Sequence, residues 1–229
     1  MCGRTSLFVE QQELEDTFDA RVIADGGYEP RYNIAPGEPL EVITNDNQDE
    51  IDQFHWGLLP SWADEPGDGL INARSETADE KRSFKAAWDS RPCLVLTSGF
   101  YEWKSTNGGP KQPYRIYRDD AEVFAMAGLW EVWEGDEVQR IPSVTILTTE
   151  PNPTMNSIHD RMPVILSSDD EEMWLNGDPD ERKGLCRPYP GTDLEAYEIS
   201  TLVNNPTNDR PGVIEPLGHE QSGLGEFGS

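Results

Sequence analysis

Apolar residues follow a helical spacing in only a few segments of the chain. In EQQELEDTFDA the spacing predicts a short helix over residues 10–20. A second helix is predicted over residues 75–90, where Phe84, Ala87 and Trp88 follow an i, i+3, i+4 pattern and Ser75 is the expected cap. A third is predicted in SDDEEMWLNG, which begins with a serine and acidic residues.

Most of the remaining apolar runs predict strands. A turn followed by a strand is indicated in RYNIAPGEPLEVIT, and FHWGLLPSW is interpreted as an aromatic-rich strand that ends at Pro60. Four further β-rich runs are CLVLTSGFYEW, YRIYRD, VFAMAGLWEVWEG and SVTILTTEP, and MPVIL and AYEIS come later. Strands predominate and no βαβ unit repeats, so we expect an α+β fold.

The predicted architecture is a single domain over residues 1–216, with a mixed, largely antiparallel, barrel-like sheet and flanking helices. Residues 217–229 are polar and rich in glycine, and we expect them to form a flexible tail. A chain of 229 residues is long enough for one sizeable core.

Acidic residues are spread along the whole chain. There are 44 Asp and Glu against 18 Lys and Arg, which gives a formal net charge of -26. Such whole-surface acidity is typical of proteins from salt-saturated cytoplasm. It does not exclude a nucleic-acid partner, because the Debye length falls to about 3 Å in molar salt.

Neither membrane insertion nor metal binding is indicated. We find no apolar run of about 18 residues and no signal-peptide pattern, so a cytoplasmic protein is expected. Cys2, Cys93 and Cys186 are too scattered for a disulfide framework or a zinc site. Cys93 and Cys186 are interpreted as small buried apolar residues, and no cofactor is expected.

Four segments place a polar residue in an unusual setting: MCGR, INARSET, SGFYEW and NSIHDRMP. The polar residues are Cys2, Asn72, Glu102 and His159. Glu102 lies between two aromatic residues, and partial desolvation there would raise its pKa toward neutrality. Taken singly, Glu102 could be a surface acid, His159 a structural hydrogen-bonding group and Asn72 a turn cap.

Taken in order, these segments resemble the motifs of the SRAP family of SOS-response-associated peptidases and abasic-site processing proteins. The motifs YNIAPG, WGLLPSW, LTTEPNPTMNSIHDRMPVIL and VNNP extend the resemblance to residues 2–216. The resemblance implies a single α+β domain around a barrel-like sheet. Together with the acidity, it leads us to expect a protein from a halophilic archaeon.

The resemblance implies covalent capture of abasic sites in single-stranded DNA. The implied roles are nucleophile for Cys2, its positioning partner for Asn72, acid and base for Glu102, and proton donor to the sugar for His159. Strand cleavage by a lyase reaction and reversal of the crosslink are further implied activities. We expect a monomer that works in the nucleoid at damaged DNA.

The same motifs contain residues that the resemblance assigns to DNA contact. Arg4, Arg74 and Arg161 are expected to bind phosphates, and Trp62 and Trp103 are expected to pack against bases or sugar. Because the net charge opposes DNA, these arginines are expected to form a local basic patch.

The position of Cys2 suits this chemistry. An α-amine has a reference pKa near 7.7–8.0 against about 10.4 for lysine, so at neutral pH it is the better former of an imine with an aldehyde. The thiol on the adjacent carbon can then close a five-membered thiazolidine ring. The α-amine of Cys2 is free only after Met1 is removed, and we expect this removal.

Two other functions remain open at this point. One is a thiol peptidase in which Cys2 and His159 form a catalytic pair, of which removal of Met1 would be a limited form. The other is a non-covalent reader of single-stranded DNA that uses its tryptophans and arginines without reaction.

Overall fold

A computed structural model describes residues 2–24, 26–135 and 139–218. The helices and strands in this part of the chain are β1 (Thr5–Leu7), α1 (Gln11–Phe18), β2 (Arg21–Val22), β3 (Arg31–Ile34), β4 (Pro39–Thr44), β5 (Glu50–Trp56), β6 (Asn72–Arg74), α2 (Arg82–Ser90), β7 (Pro92–Thr97), β8 (Gly99–Lys104), β9 (Gln112–Arg118), β10 (Phe124–Glu134), β11 (Arg140–Thr149), α3 (Pro153–Asn156), β12 (Met162–Pro163), α4 (Ser168–Asn176), α5 (Pro179–Leu185) and β13 (Leu194–Glu198). Short 3₁₀ helices follow at Thr201–Asn204 and Pro211–Val213. None of the helices in the described ranges is long and apolar enough to cross a membrane.

Five strands close into a barrel. The order β5-β4-β7-β10-β11 is antiparallel throughout, and a parallel pairing of β11 with β5 joins the two ends. Every residue of β7 is buried, because one face points into the barrel and α4 packs against the other. Trp88 of α2 and Trp174 of α4 meet edge to face in this outer layer, with ring centroids 6.2 Å apart.

A second, antiparallel sheet has the strand order β13-β9-β8-β1-β3. The chain passes from the barrel into this sheet between β7 and β8, at Gly99, whose φ is +145°. A Cβ atom at this position would lie 2.6 Å from the carbonyl oxygen of Ile116. Glycine is therefore needed both for the backbone conformation and for the close approach of β9.

The segment after β13 covers the second sheet. Its Val203 and Val213 pack with Tyr101 in a small separate core. The buried side chain of Asn33 in β3 donates hydrogen bonds to the carbonyl oxygens of residues 203, 205 and 208, at 3.3, 3.1 and 3.0 Å. This segment therefore lies against β3, the strand that pairs with β1 just after Cys2.

The α+β class, the single domain and the barrel-like mixed sheet are confirmed. The predicted helix over residues 10–20 is observed as α1, and the helix in SDDEEMWLNG is observed as α4. The run CLVLTSGFYEW is two strands, because the positive φ of Gly99 interrupts it. Of the predicted tail, residues 219–229 lie outside the described residues.

Two boundaries differ from the prediction, and several short elements were not predicted, among them β1, β2, β6 and α5. The helix expected from Ser75 begins only at Arg82, because the Ser75 backbone N–H donates to the carbonyl of Thr148 and extends the pairing of β6. The strand expected to reach Pro60 ends at Trp56, before Gly57 with its φ of +140°. α5 was not predicted, although Asp178 and Glu181 form a capping box at its start.

We predict that Gly99→Ala destabilises the protein by about 1–3 kcal/mol, because the new methyl group would meet the β9 backbone at an unfavourable φ. Gly184→Ala is the matched control, since a methyl group there would meet no heavy atom within 4 Å and alanine favours the helix by up to about 1 kcal/mol. Urea unfolding measures both changes. Equal stability of the Gly99→Ala protein and the wild type would contradict the steric argument.

Candidate active site

Cys2 lies at the inner end of the strand pairing that joins β1 to β8. The Tyr101 backbone N–H donates to the carbonyl of Arg4 at 3.0 Å, which carries the pairing toward the amino terminus. The side chain of Cys2 is fully buried. Burial, and then the negative charge of Glu102, raises the pKa of the Cys2 thiol well above its ordinary value. The thiol is therefore neutral at neutral pH.

Asn72 binds the backbone of Cys2 directly. It begins β6, which pairs in parallel with β11 so that Asn72 is opposite Ile146. Its Nδ2 atom donates to the carbonyl oxygen of Cys2 at 2.8 Å. The Oδ1 atom is buried and has no hydrogen-bond partner among the described residues, so it is an available acceptor beside Cys2.

Glu102 is a buried carboxylate in β8, with 2% of its surface exposed. Burial raises the pKa of Glu102 above its ordinary value. The expected desolvation is thus confirmed, but its cause is tertiary packing, because Tyr101 and Trp103 point to the opposite face of β8 and pack in the small separate core. A carboxyl group in this state can both take up and release a proton closer to neutral pH.

His159 follows α3 and lies between Glu102 and solvent. Its Nε2 atom is 3.8 Å from Oε2 of Glu102, and 22% of its side chain is exposed. The helix before it is capped by Asn152, whose side chain accepts the Met155 N–H at 3.0 Å. The site therefore has the carboxylate of Glu102 inside and the imidazole of His159 on the solvent side, which we call the opening of the site.

Two of the three arginines expected to bind phosphate are used inside the protein. Arg4 is 9% exposed, and its Nη1 atom donates to Asn33 Oδ1 at 2.7 Å and to the carbonyl of Val203. Arg161 is also 9% exposed and forms a two-point ion pair with Glu76. Only Arg74, on β6, is exposed. The structure thus does not form the expected patch of three solvent-facing arginines.

The two tryptophans differ in the same way. Trp62 is half exposed, and the guanidinium of Arg82 lies 4.0 Å from its ring centroid. Trp103 is half-buried, and its Nε1 atom donates to Asn204 Oδ1 at 2.7 Å. Trp62 is thus the more accessible aromatic surface.

Three residues that contact the predicted site residues were not predicted from the sequence: Glu76, Asn33 and Thr148. Glu76 stands two residues after Arg74 in INARSET, and this closeness of an acid to a basic residue is the only sequence signal of an ion pair. Asn33 lies within the quoted YNIAPG motif. Thr148 contributes its backbone carbonyl to Arg161, a role that side-chain chemistry does not reveal.

The fold and the site together define a barrel-based protein whose candidate nucleophile is a buried cysteine at the amino-terminal end. Residues 1–206 match the family described as SOS response associated peptidase (SRAP). The chain therefore belongs to the SRAP family.

Relatives and solved structures span nearly the whole chain. It is 42% identical over 222 residues to abasic site processing protein YoqW of Bacillus subtilis (strain 168), with 94% of this chain and 99% of the relative covered. It is 32% identical to abasic site processing protein HMCES of Xenopus tropicalis, with 95% and 78% covered. A crystal structure of a protein from Bacteroides thetaiotaomicron has a TM-score of 0.86 at 26% identity, with 94% and 99% covered.

We predict that Glu102→Gln stabilises the folded protein at pH 7, on the order of 1 kcal/mol. The pKa of Glu102 is raised in the folded state, so the folded protein binds a proton more tightly than the unfolded chain does. Stability is therefore lost as pH rises from the unfolded pKa, about 4.3, through the folded one, and glutamine avoids this loss.

Urea unfolding of wild type and variant at about pH 4 and pH 7 measures the effect, and the gain should shrink at the lower pH. Glu195→Gln, at an exposed position, is the control and should change stability by less than about 0.5 kcal/mol. A Glu102→Gln protein that is less stable than the wild type at pH 7 would show that ionised Glu102 stabilises the fold.

Proposed function

We propose that this protein processes abasic sites in single-stranded DNA by joining them covalently to Cys2 after Met1 is removed. The observation that carries the proposal is the convergence of four separate motifs. Asn72 holds the Cys2 carbonyl at 2.8 Å, Glu102 raises the pKa of the Cys2 thiol through its charge, and His159 lies 3.8 Å from Glu102. The names of the relatives support the same substrate.

The amine of Cys2 reacts first. Because burial keeps the thiol protonated, the free α-amine is the better nucleophile at neutral pH. It attacks the C1′ aldehyde of the ring-opened sugar, a C–N bond forms, and the carbonyl oxygen leaves as water. Asn72 Oδ1, which is buried and has no hydrogen-bond partner among the described residues, can accept a hydrogen bond from the amine and orient this attack.

The thiol then closes the ring. Its sulfur adds to the imine carbon as its proton is lost, and the imine nitrogen gains a proton, so a thiazolidine forms with no further reactant. Glu102 takes the thiol proton, a role that suits a carboxylate whose pKa is raised.

His159 acts on the sugar. From its position at the opening it donates a hydrogen bond and then a proton to the ring oxygen as the bond between that oxygen and C1′ breaks, and the C1′ hydroxyl loses its proton to water as the aldehyde forms. The reverse proton transfers release the adduct. An imine at C1′ also acidifies the neighbouring C2′ proton, so strand cleavage by β-elimination is a side reaction of the same intermediate.

A general thiol peptidase is less well supported. Peptidase thiols act as thiolates with lowered pKa values, whereas burial raises the pKa of the Cys2 thiol. A non-covalent reader would not need a buried carboxylate beside a buried cysteine, because base stacking and phosphate contact suffice.

We predict that mature protein forms a denaturant-resistant conjugate with single-stranded DNA that contains one abasic site. Intact mass should show the loss of Met1, and denaturing gels should show the conjugate. Cys2→Ala and acetylation of the α-amine should each abolish it, since either change removes one of the two nucleophiles.

Cys186→Ala is the matched thiol control and should react like the wild type. A conjugate that persists in Cys2→Ala would refute the proposal. A gel shift that vanishes in denaturant would favour the non-covalent reader, and cleavage of added polypeptide would favour the peptidase.

We also predict that the rate of capture rises with salt. The net charge is -26, and the opening carries the carboxylate of Asp160, whose side chain is 90% exposed. Raising KCl from about 0.15 M to 1 M shortens the Debye length from about 8 to 3 Å and reduces repulsion between the protein and DNA. Conjugate formation at subsaturating DNA should accelerate several-fold, whereas a steep fall, as for basic DNA-binding proteins, would contradict this.

A further inference from the structure

Arg161 ties together three parts of the chain at the opening of the site. Its Nη1 and Nη2 atoms donate to the two carboxylate oxygens of Glu76 at 2.5 and 2.8 Å. Nη2 also donates to the backbone carbonyl of Thr148 at the end of β11, at 2.6 Å. The hydrogen bonds from Arg161 lower the pKa of Glu76, so this carboxylate stays ionised. The pair therefore anchors the segment that contains His159.

The anchored segment determines which nitrogen of His159 carries the proton. The backbone N–H of Arg161 donates to Nδ1 of His159 at 3.1 Å. A ring nitrogen that accepts a hydrogen bond in the neutral imidazole has no proton, so the proton is on Nε2. Nε2 is the atom that faces Glu102, at 3.8 Å from Oε2.

Asp160 favours the opposite arrangement. Its Oδ1 atom lies 3.0 Å from the same Nδ1 atom, and a carboxylate accepts hydrogen bonds but does not donate them. Asp160 alone would therefore place the proton on Nδ1. Its side chain is 90% exposed, so water weakens this attraction. The outcome depends on whether the Arg161 backbone N–H stays in place.

We propose that Glu76 is a positioning residue that, through Arg161, keeps neutral His159 in the tautomer with its proton on Nε2. Without this anchor the Arg161 backbone moves away from Nδ1, and Asp160 draws the proton there. The lone pair of Nε2 then faces the Glu102 carboxylate, and neutral His159 no longer donates a hydrogen bond from Nε2 to the sugar ring oxygen. The kinetic consequence rests on the proposed function, whereas the tautomer itself does not.

The first test measures the tautomer without DNA. Imidazole ¹⁵N chemical shifts of the folded protein, at a pH where His159 is neutral and with assignment by His159→Gln, distinguish a protonated from an unprotonated nitrogen. In wild type the proton should be on Nε2. In Glu76→Gln a substantial fraction should move to Nδ1, and in the double variant with Asp160→Asn it should return to Nε2.

The second test measures capture of an abasic site in single-stranded DNA. At saturating DNA the rate constant of Glu76→Gln should fall about 10-fold or more, toward the roughly 10²-fold loss expected when one hydrogen-bond donor to the developing charge on oxygen is removed. The DNA concentration for half-saturation should stay within about twofold. Adding Asp160→Asn should restore most of the rate, which a merely weakened fold would not show. Glu80→Gln, an exposed acid in the same segment, is the control and should be unchanged.

The outcomes separate this inference from the proposed function. If Glu76→Gln keeps the proton on Nε2, or binds DNA more tightly at an unchanged rate, Glu76 only occupies a phosphate site and the inference is wrong. If wild type forms no conjugate, the proposed function fails while the ¹⁵N shifts still decide the tautomer. If the Glu76→Gln protein does not fold, two other results would overturn the inference. One is a proton on Nδ1 of His159 in the wild type, and the other is slowed capture by the Asp160→Asn protein.

Discussion

The antiparallel pairing of β1 with β8 is the constraint on which the site depends. Thr5 is opposite Phe100 and Ser6 is opposite Gly99, so each residue toward the amino terminus lies one step further along β8. Cys2 is thereby brought to Glu102, 100 positions away in sequence. The pairing in turn needs Gly99, because a side chain there would collide with β9. Through this pairing the second sheet sets the position of a residue near the chain terminus.

Burial changes the proton affinity of two groups at the site. Burial raises the pKa values of both the Cys2 thiol and the Glu102 carboxyl group. A buried carboxylate lowers stability at neutral pH, but the same burial makes it a better proton carrier. Asn72 holds the backbone of Cys2, and Arg161 holds Glu76, so hydrogen bonds fix the groups around the buried thiol and carboxyl group.

Two of the arginines near the site form hydrogen bonds and an ion pair within the protein. Arg4 joins the amino-terminal strand to Asn33 and to the segment around Val203, and Arg161 joins Glu76 to β11. Both are committed to the fold, so of the three arginines expected to bind phosphate only Arg74 remains exposed. Under the proposed function, affinity for DNA would come from the covalent bond and from contacts such as Trp62, with long-range attraction contributing little.

The sequence by itself determined the fold class, helices α1 and α4, and the four motif residues, because apolar periodicity and residue chemistry are local properties. It also indicated that Glu102 would be desolvated, although the burial comes from tertiary packing and not from the adjacent aromatic residues, which point to the other face of β8. Only the tertiary structure decided that Arg4 and Arg161 point inward, that α2 begins at Arg82, and that Glu76 and Asn33 matter. These depend on partners such as Val203 and Thr148, which long-range strand pairing places beside them. Local patterns show which chemical groups a chain carries. The ion pairs and hydrogen bonds of those groups are set only when distant backbone segments pack together.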